Sequence, residues 1–149
     1  MAQAKTARGT KLLIKVGDGG SPEAFTHNCS INAARSFQLQ AQTNDVNVPD
    51  CDDPDLMAWI ESEKVSLKAT IQGAGVCNTP DIEFFFGWVS DSDTKNVKVV
   101  VDVPGADGGI IFSGAFHCTD FQLSGDRGQK TNFTMTAGSS GEVTATANA

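Results

Sequence analysis

No cluster of lysine and arginine occurs anywhere in the sequence. The 11 basic residues are scattered and outnumbered by 18 acidic ones, for a net charge of −7. A protein that holds nucleic acid by its phosphates needs such a cluster, so sequence-specific nucleic-acid binding is not expected, and an acidic surface repels DNA. No apolar run is long enough to span a bilayer. Residues 1–10 hold no apolar segment of the kind a secretory signal carries, so the chain is expected to be made and kept in the cytosol. Cysteine is scarce, at positions 29, 51, 77 and 118, with no CxxC spacing, so a zinc module is not expected. In the cytosol these read as reduced, mostly buried thiols; a Cys29–Cys51 disulfide stays open. Tyrosine is absent, which leaves nine Phe and two Trp to supply aromatic core volume.

Catalytic patterns are missing as well. There is no GxSxG elbow. The stretch "VGDGGSP" follows a strand-like run and contains Gly-x-Gly, but it lacks the third glycine and the following helix of a dinucleotide loop, so it reads as a turn through Pro22. Cys118 has His117 beside it, yet neighbouring residues of a strand point to opposite faces, so they form no nucleophile–base pair. The acidic stretch "VPDCDDPD" invites comparison with a calcium loop starting at Asp50 and ending at Glu61. Its fifth position is Pro54, which has no side-chain oxygen, and its sixth is Asp55 where glycine is required. A metal-dependent enzyme built on Asp50, Cys51, Asp52 and Asp55 is therefore set behind a structural reading, in which Asp53 is a helix N-cap and Pro54 the first helical residue. No catalytic, cofactor-binding or metal-binding residue is assigned, and no cofactor is expected.

The remaining pattern is strand-rich. A polar arm, residues 1–9, leads into a strand with Leu12, Ile14 and Val16 on one face. A second strand covers residues 24–31, and a third places Phe37, Leu39 and Ala41 on one face. Residues 43–53 read as a long irregular connector, followed by a short helix with Leu56, Met57, Trp59 and Ile60 on its apolar side. The clearest strand alternates Val65, Leu67, Ala69 and Ile71 with polar residues, as in a half-buried antiparallel sheet. "TPDIEFFFGWVSDS" predicts a helix capped by Thr79, with Ile82, Phe85, Phe86 and Val89 at helical spacing. A hairpin follows, turning at "PGADGG". In its return strand the apolar phase slips between Cys118 and Phe121, which predicts a β-bulge near residues 118–120. A further strand carries Phe133, Met135 and Ala137 on one face. Residues 141–149 are a tail, or an edge strand completed by a neighbour. The chain is thus expected to be one mostly β domain of the α+β kind, with about seven strands and two short helices.

Three stretches in order, "LLIKVGDG…PEAFTHNCSIN", "VPDCDDPDLMAWIES…VSLKATIQGAGV" and "FSGAFHCTDFQLSGDRGQKTNFTMTAGSSGEVT", together resemble the major tail tube protein of long-tailed phages and gene transfer agents. They cover most of residues 11–144; residues 77–94 match only by position and apolar character. The resemblance implies a β-sandwich or split barrel with one or two short flanking helices. Six copies would close a ring-shaped β-barrel, and stacked rings would form a hollow tail tube through which DNA leaves the capsid. The implied location is the virion tail, assembled in the bacterial host cytoplasm. The implied partners are further copies of the chain, the tape measure, terminator and distal tail proteins, and DNA in transient passage through an acidic lumen, with no membrane. Open strand edges would be removed by ring closure. Segments without a local core are expected to order against neighbouring subunits. Contacts between subunits are accordingly assigned to Arg8 in the arm, to Thr43, Asn44, Asp45, Val46, Asn47, Val48, Pro49 and Asp50 in the connector, and to Glu142 and Val143 in the tail. The rival reading is a β-sandwich module binding carbohydrate on Trp59 or Trp88.

Overall fold

The computed structural model describes residues 3–17, 23–27 and 30–148. The expected turn through Pro22, and Cys29 of the possible Cys29–Cys51 pair, lie outside the described residues. Eight strands and one α-helix run through the described chain: β1 (Leu12–Gly17), β2 (Phe25–His27), β3 (Ala34–Val48), β4 (Trp59–Val76), α1 (Ile82–Ser90), β5 (Lys95–Val101), β6 (Ile110–Ser124), β7 (Asn132–Ser139) and β8 (Thr144–Ala147). The sheet order is β2-β1-β5-β6-β7-β4-β3, with β8 also paired to β6. By contacts the chain divides into two units, residues 1–38 with 69–149, and Leu39–Lys68.

All of the buried core belongs to the first unit. Period-two alternation in each strand sends Ile14 and Val16 (β1), Val97 and Val99 (β5), Phe116 and Cys118 (β6), Phe133, Met135 and Ala137 (β7), and Ala69 and Ile71 (β4) into one cluster. Phe37 on β3 stacks on Phe112 of β6, with ring centroids 4.5 Å apart, although the two strands are not neighbours in the sheet. In this unit one sheet therefore curls over a shared core and serves as both layers of a sandwich. The phase slip in β6 is a bulge. Cys118 pairs with Ala137 but Asp120 pairs with Thr136, so the register shifts by one. The Thr119 hydroxyl donates to the Thr136 carbonyl at 3.3 Å beside the bulge. The shift turns Phe121 back toward the core, where it packs against Phe85 and Phe133.

The predicted helix over residues 82–90 forms, entered through a 3-10 turn at Thr79–Asp81 with Pro80 inside it. Thr79 makes no side-chain cap. Instead, buried Ser30 donates to Asp81 Oδ2 (3.2 Å) and accepts from the Asn78 backbone N–H (3.0 Å), while Asn78 Nδ2 donates to the same carboxylate (3.0 Å). The expected apolar face was Ile82, Phe85, Phe86 and Val89; the observed buried residues are Phe85 and Trp88, and Phe86 is exposed. Trp88 wins the inward position because its indole N–H reaches the Phe116 carbonyl at 3.3 Å, so the largest ring is buried without an unpaired donor.

Close approach explains two glycines of β4. A Cβ on Gly73 would press into the Ile31 side chain at 2.7 Å. One on Gly75 would overlap Asn32 Oδ1 and lie 2.8 Å from the Ser30 carbonyl oxygen. That space lets Asn32 act as a strand partner in miniature. Its amide donates to the Val76 carbonyl (2.9 Å) and its oxygen accepts from the Val76 N–H (3.0 Å).

Cys118 is a buried thiol beside an exposed His117, as the strand alternation requires. Burial pushes its pKa up to about 11; a backbone hydrogen bond at Asp120 opposes the rise and the Asp120 carboxylate adds to it. The folded state thus holds this proton more tightly than the unfolded chain, whose thiol has the ordinary value of 9.0. The associated stability is intact below pH 9 and is lost as pH rises from about 9 to 11. Thermal melts are expected to fall faster over this window for the native chain than for Cys118→Ala; parallel slopes would contradict the assignment. Thiol titration of the folded protein should label exposed Cys51 at once and Cys118 only after denaturation.

Candidate assembly interface

The second unit, Leu39–Lys68, consists of residues 39–48 of β3, residues 59–68 of β4 and the loop between them. Every residue in it is exposed. The expected irregular connector over residues 43–53 is corrected here: Thr43, Asn44, Asp45, Val46, Asn47 and Val48 continue β3, and the loop starts at Pro49. A strand can run on because its backbone groups pair across the hairpin, without any core beneath it.

The loop shows what "VPDCDDPD" does. Asp50 Oδ1 accepts from the N–H groups of Asp52 (2.8 Å) and Asp53 (3.2 Å), and Asp53 Oδ1 accepts from that of Asp55 (3.2 Å). The Leu56 N–H then closes onto the Asp53 carbonyl at 3.1 Å. These are successive Asx turns. The helix expected from Asp53 and Pro54 does not form, so Asp53 caps a turn and Pro54 lies within it. A helix this short needs an apolar partner. Met57 is 94% exposed and Trp59 86%, and Trp59 and Ile60 belong to β4. Among the described residues, no group of three or more His, Cys, Asp or Glu could hold a metal ion.

The hairpin has an unusual distribution of polarity. Gln42 and Ser66 touch across it at 3.4 Å, which fixes them on one side. Alternation then places Val46, Val48 and Ile60 on that side near the loop, with Gln40, Gln42, Ser66 and Lys68 further from it. The opposite side reverses this order: Leu39, Ala41, Val65 and Leu67 lie far from the loop, and Asp45, Glu61 and Glu63 near it, beside Trp59. The apolar surface thus changes sides along the hairpin. Leu39, Ala41, Val65 and Leu67 were expected to be core-facing; all are exposed, and burial on β4 begins at Ala69. The alternation was real, but the surface it marks has nothing covering it among the described residues.

The other expected contact residues are dispersed. Arg8 is exposed at the start of a 3-10 turn, Gly9–Lys11. Glu142 is exposed, whereas Val143 packs against the core of its own chain. Residues 144–147, expected as a free tail or a strand completed by a neighbour, pair with Ile110–Ser113 of the same chain. The sheet order leaves β2 and β3 as its outer strands. Trp88, a candidate sugar platform, is 1% exposed and hydrogen-bonded to the backbone, so it offers no face to a ligand.

A mostly antiparallel β unit with an uncovered apolar hairpin is the form of a subunit. Residues 6–145 match the family described as phage tail tube protein. The chain belongs to the phage tail tube protein family. Tail tube proteins are structural components of the virion tail and not enzymes, and this chain is one of them. No curated protein sequence matches it. Among solved structures, the chain is similar to one titled as the tail of an empty GTA particle computed with helical refinement in C6 symmetry. That likeness has a TM-score of 0.76 at 25% identity, over 95% of this chain and 100% of that one. A chain from a virion of a native gene transfer agent particle aligns at TM-score 0.71 and 23% identity, again over 95% and 100%. The SPP1 tail tube shares the fold at TM-score 0.65 and 5% identity, over 96% of this chain and 80% of that one. In this tail tube protein, no helix among the described residues is long and apolar enough to cross a membrane.

Proposed function

We propose that six copies of the chain close a ring, that rings stack into the hollow tail tube, and that DNA passes through it. The observation that carries this reading is the hairpin Leu39–Lys68, exposed throughout and bearing Leu39, Val46, Val48, Leu56, Met57, Trp59, Ile60, Val65 and Leu67. A two-stranded ribbon with this much uncovered apolar surface is marginal alone and is stabilised by burial against another body. In a tube that body is another copy. The sixfold symmetry of the similar GTA tail supports the ring size. The outer strands β2 and β3 would lose their open edges on ring closure. Contacts by Thr43 to Asp50, Arg8 and Glu142 belong to the same reading, whereas Val143 would act by holding the chain that presents Glu142. The tape measure, terminator and distal tail proteins would meet the tube at its interior and ends.

Charge supports the conduit. The chain carries 18 acidic against 11 basic residues, a net charge of −7. Walls of this sign repel phosphates and do not hold passing DNA. The test is direct: purified protein, raised in concentration, is viewed by negative stain. Rings about one subunit thick and stacked tubes are expected. A strict monomer at all concentrations, even with tail partners present, would overturn the proposal.

A further inference from the structure

We infer that the acidic side of the hairpin of one copy docks into a groove around Arg35 of another copy. Arg35 lies near the start of β3, in a groove of about 370 Å³ lined also by Ser36, Gln72, Thr134 and Thr136. One guanidinium nitrogen donates to the Gly9 carbonyl at 3.1 Å. Its Nε is buried and has no hydrogen-bond partner. The lining residues include no carboxylate. Among the described residues the ion pairs are Lys5–Asp107 and Lys11–Asp102, and neither involves Arg35. A half-buried arginine with no carboxylate partner, in a groove that also holds hydroxyl and amide side chains, is a receptor for a carboxylate: its terminal N–H groups not used by Gly9 bind an oxygen and the neighbours can donate to what remains.

The hairpin supplies the matching group. Counting along both strands from the Gln42–Ser66 contact places Asp45, Glu61 and Glu63 together on the opposite side of the hairpin. Like charges gathered on one side of a strand pair repel, and a cation docked against them reverses the sign. Outside the hairpin the chain has nine basic and eleven acidic residues, so the hairpin is the more acidic part by −5 against −2. A copy of the same chain therefore offers both halves of the contact, a head-to-tail pairing that propagates. The apolar Val46, Val48 and Ile60 lie on the opposite side of the hairpin and remain for a different neighbour. This inference rests on the proposed tube.

The experiment is a charge-reversal cycle read by sedimentation and negative stain. Arg35→Glu, and separately Glu63→Lys, are expected to raise the concentration needed for tube formation by about tenfold or more. Combining Arg35→Glu with Asp45→Lys, Glu61→Lys or Glu63→Lys is expected to restore assembly in at least one pair. Arg35→Gln, which removes the charge without inserting its opposite, guards against misfolding; with an unchanged melt it should still assemble more weakly than the native chain. If the native chain assembles and Arg35→Glu and Arg35→Gln assemble equally well, or if no reversed pair recovers, the pairing is wrong while the tube stands. If the native chain never assembles, both fall.

Discussion

Phe85→Ala is expected to lower stability by about 3–5 kcal/mol, the usual loss for emptying a buried phenylalanine site. Folded domains hold only about 5–15 kcal/mol in total, so the variant should sit near the edge of folding. The position explains the size. Phe85 is fully buried, its ring 4.6 Å from that of Phe133 and in aromatic contact with Phe84, Trp88 and Phe121. It is one of only two buried residues on α1, so its loss both opens a cavity above β7 and weakens the attachment of the helix. Urea denaturation should show a midpoint shifted far down with little change in slope. Phe86→Ala is the internal control: the same chemistry one position along, on a side chain 63% exposed, should stay within about 0.5 kcal/mol of the native chain. Equal losses for the two would mean that α1 does not hold the core shut.

This contrast between adjacent phenylalanines marks where sequence reading stops. "IEFFFGWV" announces a helix, because capping residues and apolar spacing are local. Three consecutive phenylalanines leave its inward side undetermined, and the choice is made by the Phe116 carbonyl that receives the Trp88 indole, 28 residues away. The bulge in β6 was legible for the opposite reason. Phe116, Cys118, Phe121 and Leu123 lie on one strand, and keeping all four on one side requires one extra residue between the pairs. "DDPDLM" has the letters of a helix start, and Asp53 does bond the next turn. Initiation is local, however, while persistence requires a surface to pack on, and Met57 has none among the described residues. Leu39, Val65 and Leu67 fail in the same way. Alternation says that one side of a strand is to be dry, not which molecule dries it. For the proposed assembly surface, the sequence pointed to residues 43–50 through the resemblance and the missing local core, and it read Leu39, Val65 and Leu67 as covered where the fold leaves them exposed. Arg35 carried no sequence signal, because its unpaired Nε is a property of the surrounding groove.

The largest effect on function is expected from removing the hairpin while keeping the core. Gln42 and Ser66 touch across the strands, so residues 43–65 can be replaced by an Asn-Gly pair, whose backbone suits a two-residue hairpin turn. Every buried core residue lies outside the excised segment, so secondary structure and the thermal melt should persist. The excision removes Val46, Val48, Leu56, Met57, Trp59, Ile60 and Val65, all exposed in the single chain. Full burial of such a side chain contributes about 1.5–3 kcal/mol, so even a fraction of these contacts shifts the assembly threshold by orders of magnitude. The excision also removes seven acidic residues and one lysine, taking the net charge from −7 to −1. Weaker repulsion between copies favours association. Charge and contact therefore predict opposite outcomes. Loss of tubes, despite the lower charge and an intact fold, assigns assembly to the hairpin's contacts. Tubes that form as readily as before would show that the rings close and stack through the first unit alone.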